Sequence, residues 1–338
     1  MRQRAATTRT LETKTVESKR LILGVDGGGS KTAALLARLE DNGDVVIIGF
    51  GQGGPSNLRL AGKEQSLASL DHAIHEAMNQ AGVAGQVMDY AVFALAGSTS
   101  PDVQRDVSDW ANQRRIADRY EIVHDVAPVL ASGTDDGHGI ALIVGTGSVA
   151  VGIDSLGNSV TKGGWGHWFG DKGSGFYLGY KALAAVAEAS DGIGPETILS
   201  ELVMLKLDTV DPRQILEEVS SHDDTRKEVA ALAPTVLNAA EKGDAVATGI
   251  VGSAVNEAVK LVIAVAKDMH LEKPYPLAIA GGVVCNSALF RDQLINRLNQ
   301  EQPIPGKVTV VDNPVEGCLK IASAKFATSG NLPGTGFN

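Results

Sequence analysis

A turn with the composition of a phosphate site follows the short apolar strand 21–23. It runs from Asp26 to Thr32 as Asp-Gly-Gly-Gly-Ser-Lys-Thr. Glycines let backbone N–H groups approach phosphate oxygens, and successive amides in a turn form a concave anion site. Asp26 at the end of the strand could hold Mg²⁺ through water. The residues predicted to contact the phosphates of a nucleotide here are Gly28, Gly29, Ser30, Lys31 and Thr32.

A second turn of the same kind follows the strand 142–144. Neither turn is a Walker A loop, which needs Gly-Lys-Ser/Thr opening a helix, whereas Ser30 precedes Lys31 here. We interpret both as strand–turn–strand hairpins, and either one alone could be only a tight glycine-rich turn. Two such turns, each at the same place in a strand–turn–strand unit, predict two related half-domains that face one polyphosphate. The second turn consists of Gly145, Thr146, Gly147 and Ser148.

The elements that position these turns alternate between strands and helices. Three strands, a helix over 63–80, a strand over 90–95 and a further helix give the order βββαβα, and a strand over 120–123 follows. This order recurs after residue 138, interrupted by a helical insertion over about 176–270. Helices packed on mixed sheets, an α/β fold in two domains, are predicted.

Asp125 stands at the end of the strand 120–123. Ligands of open α/β sheets bind at the carboxyl ends of strands, which favours a catalytic carboxylate here. The alternative is that Asp125 caps the helix that opens near Pro128, as Asp often does. We expect His124 to be structural, since neighbouring side chains of a strand point to opposite faces.

The composition bounds the partners of the chain. It has 338 residues, enough for two domains, and a net charge of −10, which argues against a nucleic acid or an anionic membrane. No apolar run is expected to reach the length of a membrane span. Two cysteines without CxxC spacing predict neither a disulfide scaffold nor a structural zinc site. Residues 1–20 have the composition of a disordered tail, either a native extension or a targeting segment.

With these motifs the chain resembles the family that joins N-acetylglucosamine kinases to BadF/BadG/BcrA-type ATPases, within the actin-like ATPase superfamily. The two glycine turns, the segment Ala280–Val283 and the block Gly163–Ser174 carry the resemblance in the expected order. It implies two ribonuclease H-like domains around a cleft that binds ATP and Mg²⁺. The implied domains are 21–128, completed by a helix at about 315–328, and 129–314.

The resemblance also implies roles for single residues. Asp125 would take the proton from a sugar hydroxyl, and one departure from the family pattern is Lys172 in place of the usual Glu, which bears on the charge of the preferred sugar. His167 could equally be a partly buried, hydrogen-bonded histidine, and Trp165 could be plain core. The residues implied to bind substrate are Asn57, Trp165, Gly166, His167 and Asp171, and those implied to flank adenosine are Gly243, Gly281 and Gly282.

The hypothesis that follows is a cytoplasmic kinase, with a homodimer as a possible assembly, that transfers the γ-phosphate of ATP to the 6-hydroxyl of N-acetylglucosamine. Glucosamine is the near variant. A second hypothesis is an ATP-driven activator of an acyl-CoA dehydratase or reductase, which would hold an iron–sulfur cluster between subunits through cysteines. A third is a non-catalytic sugar sensor, against which the retention of Asp26, Asp125 and Asp171 argues.

Overall fold

The computed structural model describes residues 20–221 and 224–329. Two five-stranded sheets form its framework, and in each the chain order gives two antiparallel pairings followed by parallel strands. The predicted α/β fold with two duplicated units is therefore confirmed, while the exact domain limits stay a prediction. The predicted tail falls outside the described residues except for Arg20, which already belongs to the first strand.

The first sheet has the order β3-β2-β1-β4-β5. Alternate residues of its central strand face opposite sides, so that Leu21, Leu23 and Val25 pack against α2 and α3 while Ile22 packs against α13. Its elements are β1 (Arg20–Gly27), β2 (Thr32–Leu39), β3 (Val45–Gly53), α1 (Leu58–Ala61), α2 (Lys63–Gln80), β4 (Tyr90–Leu95), α3 (Pro101–Arg114), β5 (Tyr120–His124) and, from the far end of the chain, α13 (Val315–Ser329).

The second sheet has the order β10-β9-β6-β7-β8. One of its faces packs on α4, which also contacts α13, so these two helices lie between the sheets. Its elements are α4 (Ala127–Gly133), β6 (Gly139–Val144), β7 (Ser148–Ile153), β8 (Ser159–Gly163), β9 (Tyr275–Ala280), α11 (Gly282–Asn286), α12 (Ala288–Leu298) and β10 (Pro305–Val311).

The predicted helical insertion lies between β8 and β9 and covers the other face of the second sheet. Its last helix is apolar and long enough to pass for a membrane span, contrary to the expectation from the sequence, but half of its most apolar stretch is buried in the core of this domain. The helices are α5 (Gly175–Ser190), α6 (Leu199–Lys206), α7 (Ile215–Ser220), α8 (Thr225–Ala230), α9 (Ala233–Glu241) and α10 (Ala245–Asp268), with a 3₁₀ turn at Pro212–Gln214.

Candidate active site

The site lies where the two sheets present the carboxyl ends of their parallel strands. In the first sheet β1, β4 and β5 run parallel, and in the second β6, β9 and β10 do. The two glycine turns follow β1 and β6 and therefore face each other. They meet at one polar contact, in which the hydroxyls of Ser30 and Thr146 are 3.1 Å apart.

The first turn is held by its own backbone. The N–H of Gly28 donates to the carbonyl of Lys31 at 3.0 Å, and the Gly28 carbonyl accepts from Ser56 at 3.0 Å. A Cβ on Gly28 would meet only that Lys31 carbonyl oxygen, at 3.6 Å, so the space beside Gly28 is open for a ligand. Gly27 is different, because its missing Cβ lets the Ser56 hydroxyl come within 2.3 Å of the Cβ position.

The adenosine candidates divide between two places. Gly281 has φ of 102°, and a Cβ on it would lie 2.5 Å from the Val144 carbonyl oxygen, so this glycine packs directly against the second turn. Gly282 lies beside Gly145, 4.0 Å from the position of its Cβ. Gly243 has φ of 86° and forms the turn between α9 and α10, where no described atom lies within 4 Å of its Cβ position.

The hydroxyl residue at the end of each glycine turn, Thr32 or Ser148, forms hydrogen bonds with a neighbouring loop of the protein. Thr32 is fully buried, and its hydroxyl donates to the Gly54 carbonyl and lies 2.7 Å from both that oxygen and the Ser56 hydroxyl. Ser148 occupies the equivalent first position of its strand, and its hydroxyl donates to the Lys172 carbonyl at 2.8 Å. Both hydroxyls therefore tie their turns to neighbouring loops, and a contact of Thr32 or Ser148 with a phosphate stays a prediction.

Two carboxylates, Asp26 and Asp125, lie at the carboxyl ends of β1 and β5, which flank β4 in the first sheet. Asp26 is half-buried, and burial raises its pKa to about 7, with a further increase from the negative charge of Asp125 and a decrease from Lys31. A carboxylate whose pKa is raised by the negative charge of a second carboxylate marks a place where a cation would be stabilised. A magnesium ion that bridges phosphates needs only one or two protein carboxylates, so this pair fits such an ion. No cluster of three or more metal-ligating side chains occurs among the described residues.

The capping alternative for Asp125 is wrong. The N-cap of α4 is Val126, and its helix start has no side-chain cap. Asp125 Oδ1 is buried, lies 2.7 Å from the ring nitrogen Nδ1 of His124 and accepts no other hydrogen bond from the described residues, so part of its accepting capacity is left for a ligand. This geometry agrees with a carboxylate that is held ready for an incoming hydroxyl.

His124 lies against Asp125, contrary to the expectation that these two neighbouring side chains point to opposite faces. Its Nδ1 lies 2.7 Å from Asp125 Oδ1, and the same nitrogen receives the Val126 N–H at 3.3 Å. While Nδ1 accepts that hydrogen bond it cannot donate to the carboxylate, and protonation turns the contact into an ion pair. Burial lowers the pKa of His124, but the adjacent Asp125 more than offsets this, so the net pKa is raised. In the sequence, the only indication of this contact is that His124 and Asp125 are consecutive residues.

The block Gly163–Ser174 is attached to the second glycine turn by hydrogen bonds with Ser148. Gly164 donates to the Ser148 carbonyl at 3.0 Å, and the Ser148 N–H donates to Asp171 Oδ1 at 3.2 Å. Between these anchors Trp165 is 76% exposed, which rules out the core alternative for its ring. His167 is half-buried between the rings of Trp168 and Phe176, with centroid distances of 4.8 and 5.0 Å.

Asp171 lies nearer to the second turn than to the exposed tryptophan. Its residue is 4% exposed, has φ of 52°, and both of its carboxylate oxygens would be 2.9 Å from a Cβ on Gly147. The packing explains why position 147 is glycine. Whether Asp171 also reaches a sugar hydroxyl stays a prediction, as it does for Gly166 and for Asn57, whose side chain caps α1 by accepting from Arg59 at 3.1 Å.

Arg226 lies at the site although the sequence analysis did not predict it as a site residue. It comes from α8 in the helical insertion, and its Nη2 lies 3.4 Å from Asp171 Oδ2. No motif surrounds it, so only the fold shows that an insertion residue reaches the glycine turns.

Comparison with known proteins identifies the family. A model of the BadF/BadG/BcrA/BcrD ATPase family matches residues 23–319. The chain belongs to this family. The resemblance seen in the sequence is thereby confirmed, and an ATPase family implies ATP as the nucleotide.

Several relatives cover nearly the whole of this family member. It is 30% identical over 305 residues to an N-acetylmuramic acid/N-acetylglucosamine kinase of Clostridium acetobutylicum, with 90% of this chain and 98% of the relative covered. It is 26% identical over 319 residues to an N-acetyl-D-glucosamine kinase of Dictyostelium discoideum, with the same coverage of both chains. A solved structure from Chromobacterium violaceum, assigned as an N-acetylglucosamine kinase, aligns with a TM-score of 0.70 at 25% identity and covers 89% of this chain and 98% of that one.

The two cysteines of this family member do not favour a cluster-holding activator. Cys318 is fully buried, its thiol donates to the Val25 carbonyl at 3.4 Å, and burial raises its pKa well above the usual value. Cys285 is half-buried, and burial and the nearby Asp312 raise its pKa to about 11. A cysteine ligates a cluster as a thiolate, and both environments stabilise the protonated thiol.

Proposed function

We propose that this protein is an ATP-dependent sugar kinase that phosphorylates the 6-hydroxyl of N-acetylglucosamine or a close hexosamine. The observation that carries the proposal is Asp125, whose buried carboxylate oxygen contacts only the His124 ring among the described residues and whose charge raises the pKa of Asp26, at the edge where both glycine turns meet. The kinase names of the full-length relatives support the substrate class.

Phosphoryl transfer needs mainly positioning and charge neutralisation from the protein. The open backbone of the first turn at Gly28 and the hydroxyls of Ser30 and Thr146 would hold the phosphates. Asp26 would hold Mg²⁺, which neutralises phosphate charge when it is bound. Asp125 would orient the acceptor hydroxyl and take its proton.

The sugar would lie against the block Gly163–Ser174, which is hydrogen-bonded to the second glycine turn. An exposed tryptophan ring offers a flat apolar face to a sugar, and Trp165 is both exposed and fixed near that turn. Because the block is joined to the second sheet and Asp125 to the first, closure of the two domains would bring sugar and carboxylate together and exclude water.

The proposal is tested by a coupled kinase assay over glucose, glucosamine, N-acetylglucosamine, N-acetylmannosamine and N-acetylmuramic acid. We expect the highest kcat/KM for N-acetylglucosamine, and NMR spectra of the product should show the phosphate on O6. Phosphorylation of an unacetylated hexose above all others, or attachment at another oxygen, would contradict the proposal. If the protein transferred phosphate from ATP to none of these five sugars, the proposal would be wrong altogether.

A further inference from the structure

Arg226 lies between the two glycine turns, although it belongs to neither sheet. Its Nη2 is 3.0 Å from the position that a Cβ on Gly147 would occupy, and its Nη1 is 3.8 Å from the corresponding position on Gly29. One guanidinium therefore reaches the first turn, on one sheet, and the second turn, on the other. Its side chain is 21% exposed, so it faces an enclosed space and not the open surface.

The hydrogen-bonding capacity of this guanidinium is mostly unused. Its one ion pair among the described residues is the 3.4 Å contact with Asp171, and its buried Nε has no hydrogen-bond partner there. An arginine carries five N–H donors, and buried donors without partners are rare in folded proteins. A cation with free donors between two anion-binding turns fits a ligand with several negatively charged oxygens. The planar fork of arginine matches phosphate geometry.

We propose that Arg226 binds the terminal phosphates of the nucleotide and neutralises charge during transfer. Asp171 holds the guanidinium in place before the nucleotide arrives. In the transfer step the bond between the γ-phosphorus and its bridging oxygen breaks and a bond to the sugar oxygen forms. The hydroxyl proton goes to Asp125, and ADP keeps the electron pair on the former bridging oxygen. Arg226 forms no covalent bond and stabilises the negative oxygens.

This inference rests on the proposed function only for the transfer step, because phosphate binding requires no sugar. Two roles for Arg226 are therefore separable. If it only braces Asp171, its removal weakens all nucleotides alike by disturbing the second turn. If it binds terminal phosphates, its removal weakens ATP more than ADP and leaves AMP unaffected.

The test measures Kd for MgATP, MgADP and AMP by titration calorimetry on the full chain without sugar. For Arg226→Ala we expect ATP affinity to fall about 10- to 100-fold, the range for a lost hydrogen-bonded charge, with a smaller loss for ADP and none for AMP. Arg226→Lys keeps the charge and loses the fork, so it should show an intermediate loss. Lys227→Ala is the matched control, since Lys227 is the next residue of the same helix and is exposed.

Equal losses for ATP and AMP, or unchanged ATP affinity in Arg226→Ala with a normal thermal midpoint, would overturn the proposal. If Arg226→Ala does not fold, the ATP-to-AMP affinity ratio of Arg226→Lys decides between the two roles. A wild-type protein that binds ATP but phosphorylates none of the sugars would refute the proposed function and leave this result intact.

Discussion

Replacement of Asp26 by Asn should stabilise the nucleotide-free protein while it removes activity. The folded protein holds Asp26 with a pKa of about 7, against an ordinary value of 3.8. A shift of about three units corresponds to about 4 kcal/mol of lost stability once the group is ionised in both states. Because Asp26 keeps some contact with solvent, we expect roughly half of this, about 2 kcal/mol.

Because folding raises the pKa of Asp26, the effect of the substitution on stability depends on pH. Well below pH 3.8 the carboxyl is protonated in the folded and the unfolded chain, so the Asn variant and the wild type should be equally stable with respect to this group. As the pH rises from about 4 to about 7, the unfolded chain ionises while the folded chain keeps the proton, so the wild type loses stability. The advantage of Asp26→Asn should therefore begin near pH 4, grow until about pH 7 and then stay constant, so it should be larger at pH 8 than at pH 5.

Urea denaturation of the apo protein at pH 5 and pH 8 measures this difference, with the slope against urea unchanged. Asp41→Asn serves as a control, since Asp41 is an exposed aspartate whose nearest cation is 3.9 Å away. MgATP should raise the thermal midpoint of the wild type and fail to do so for Asp26→Asn. A variant that is no more stable than the wild type at pH 8, or an advantage that does not depend on pH, would refute the reasoning.

Three further substitutions test other parts of the site. Asp125→Asn should lower kcat by a factor on the order of 10² to 10⁴ and leave ATP affinity in calorimetry unchanged, and near-normal turnover would move the base elsewhere. Gly28→Val should lower ATP affinity at least about 10-fold without loss of thermal stability, since its Cβ meets only one atom, at 3.6 Å, and unchanged affinity would mean that the turn is only a hairpin. Trp165→Ala should raise KM for the sugar several-fold and leave KM for ATP unchanged, whereas Trp168→Ala, a neighbouring exposed tryptophan, should change neither. Equal effects of both tryptophan substitutions would argue against a sugar contact at Trp165.

The sequence predicted the glycine turns and the order of strands and helices along the chain, because both depend on local patterns. The segment after the first turn, for example, is the strand β2, as the hairpin interpretation required. Contacts distant in sequence could not be predicted in this way. The glycine at position 147 was expected for phosphate approach, but the structure shows that Asp171, 24 residues on, packs against it.

Hydroxyl residues show a second limit of pattern reasoning. Thr32 and Ser148 stand in the motifs next to phosphate-type residues, yet each is the first residue of a strand and points into the protein. The alternation of a strand decides this, and a turn motif alone does not show where the alternation starts. Arg226 had no local signal at all, since its place depends on how the insertion folds over the second sheet.

Helix α13 has a consequence for how the chain is made. It covers the face of the first sheet formed by Ile22, Tyr90 and Val92, although it starts at residue 315. A ribosome adds about 5–20 residues per second, so the roughly 220 residues between β4 and α13 take on the order of 10 to 40 seconds. During that time the apolar face of the first sheet has no cover of its own. The first sheet is therefore completed only near the end of synthesis, and until then its apolar face is a place where chaperones can bind or chains can aggregate.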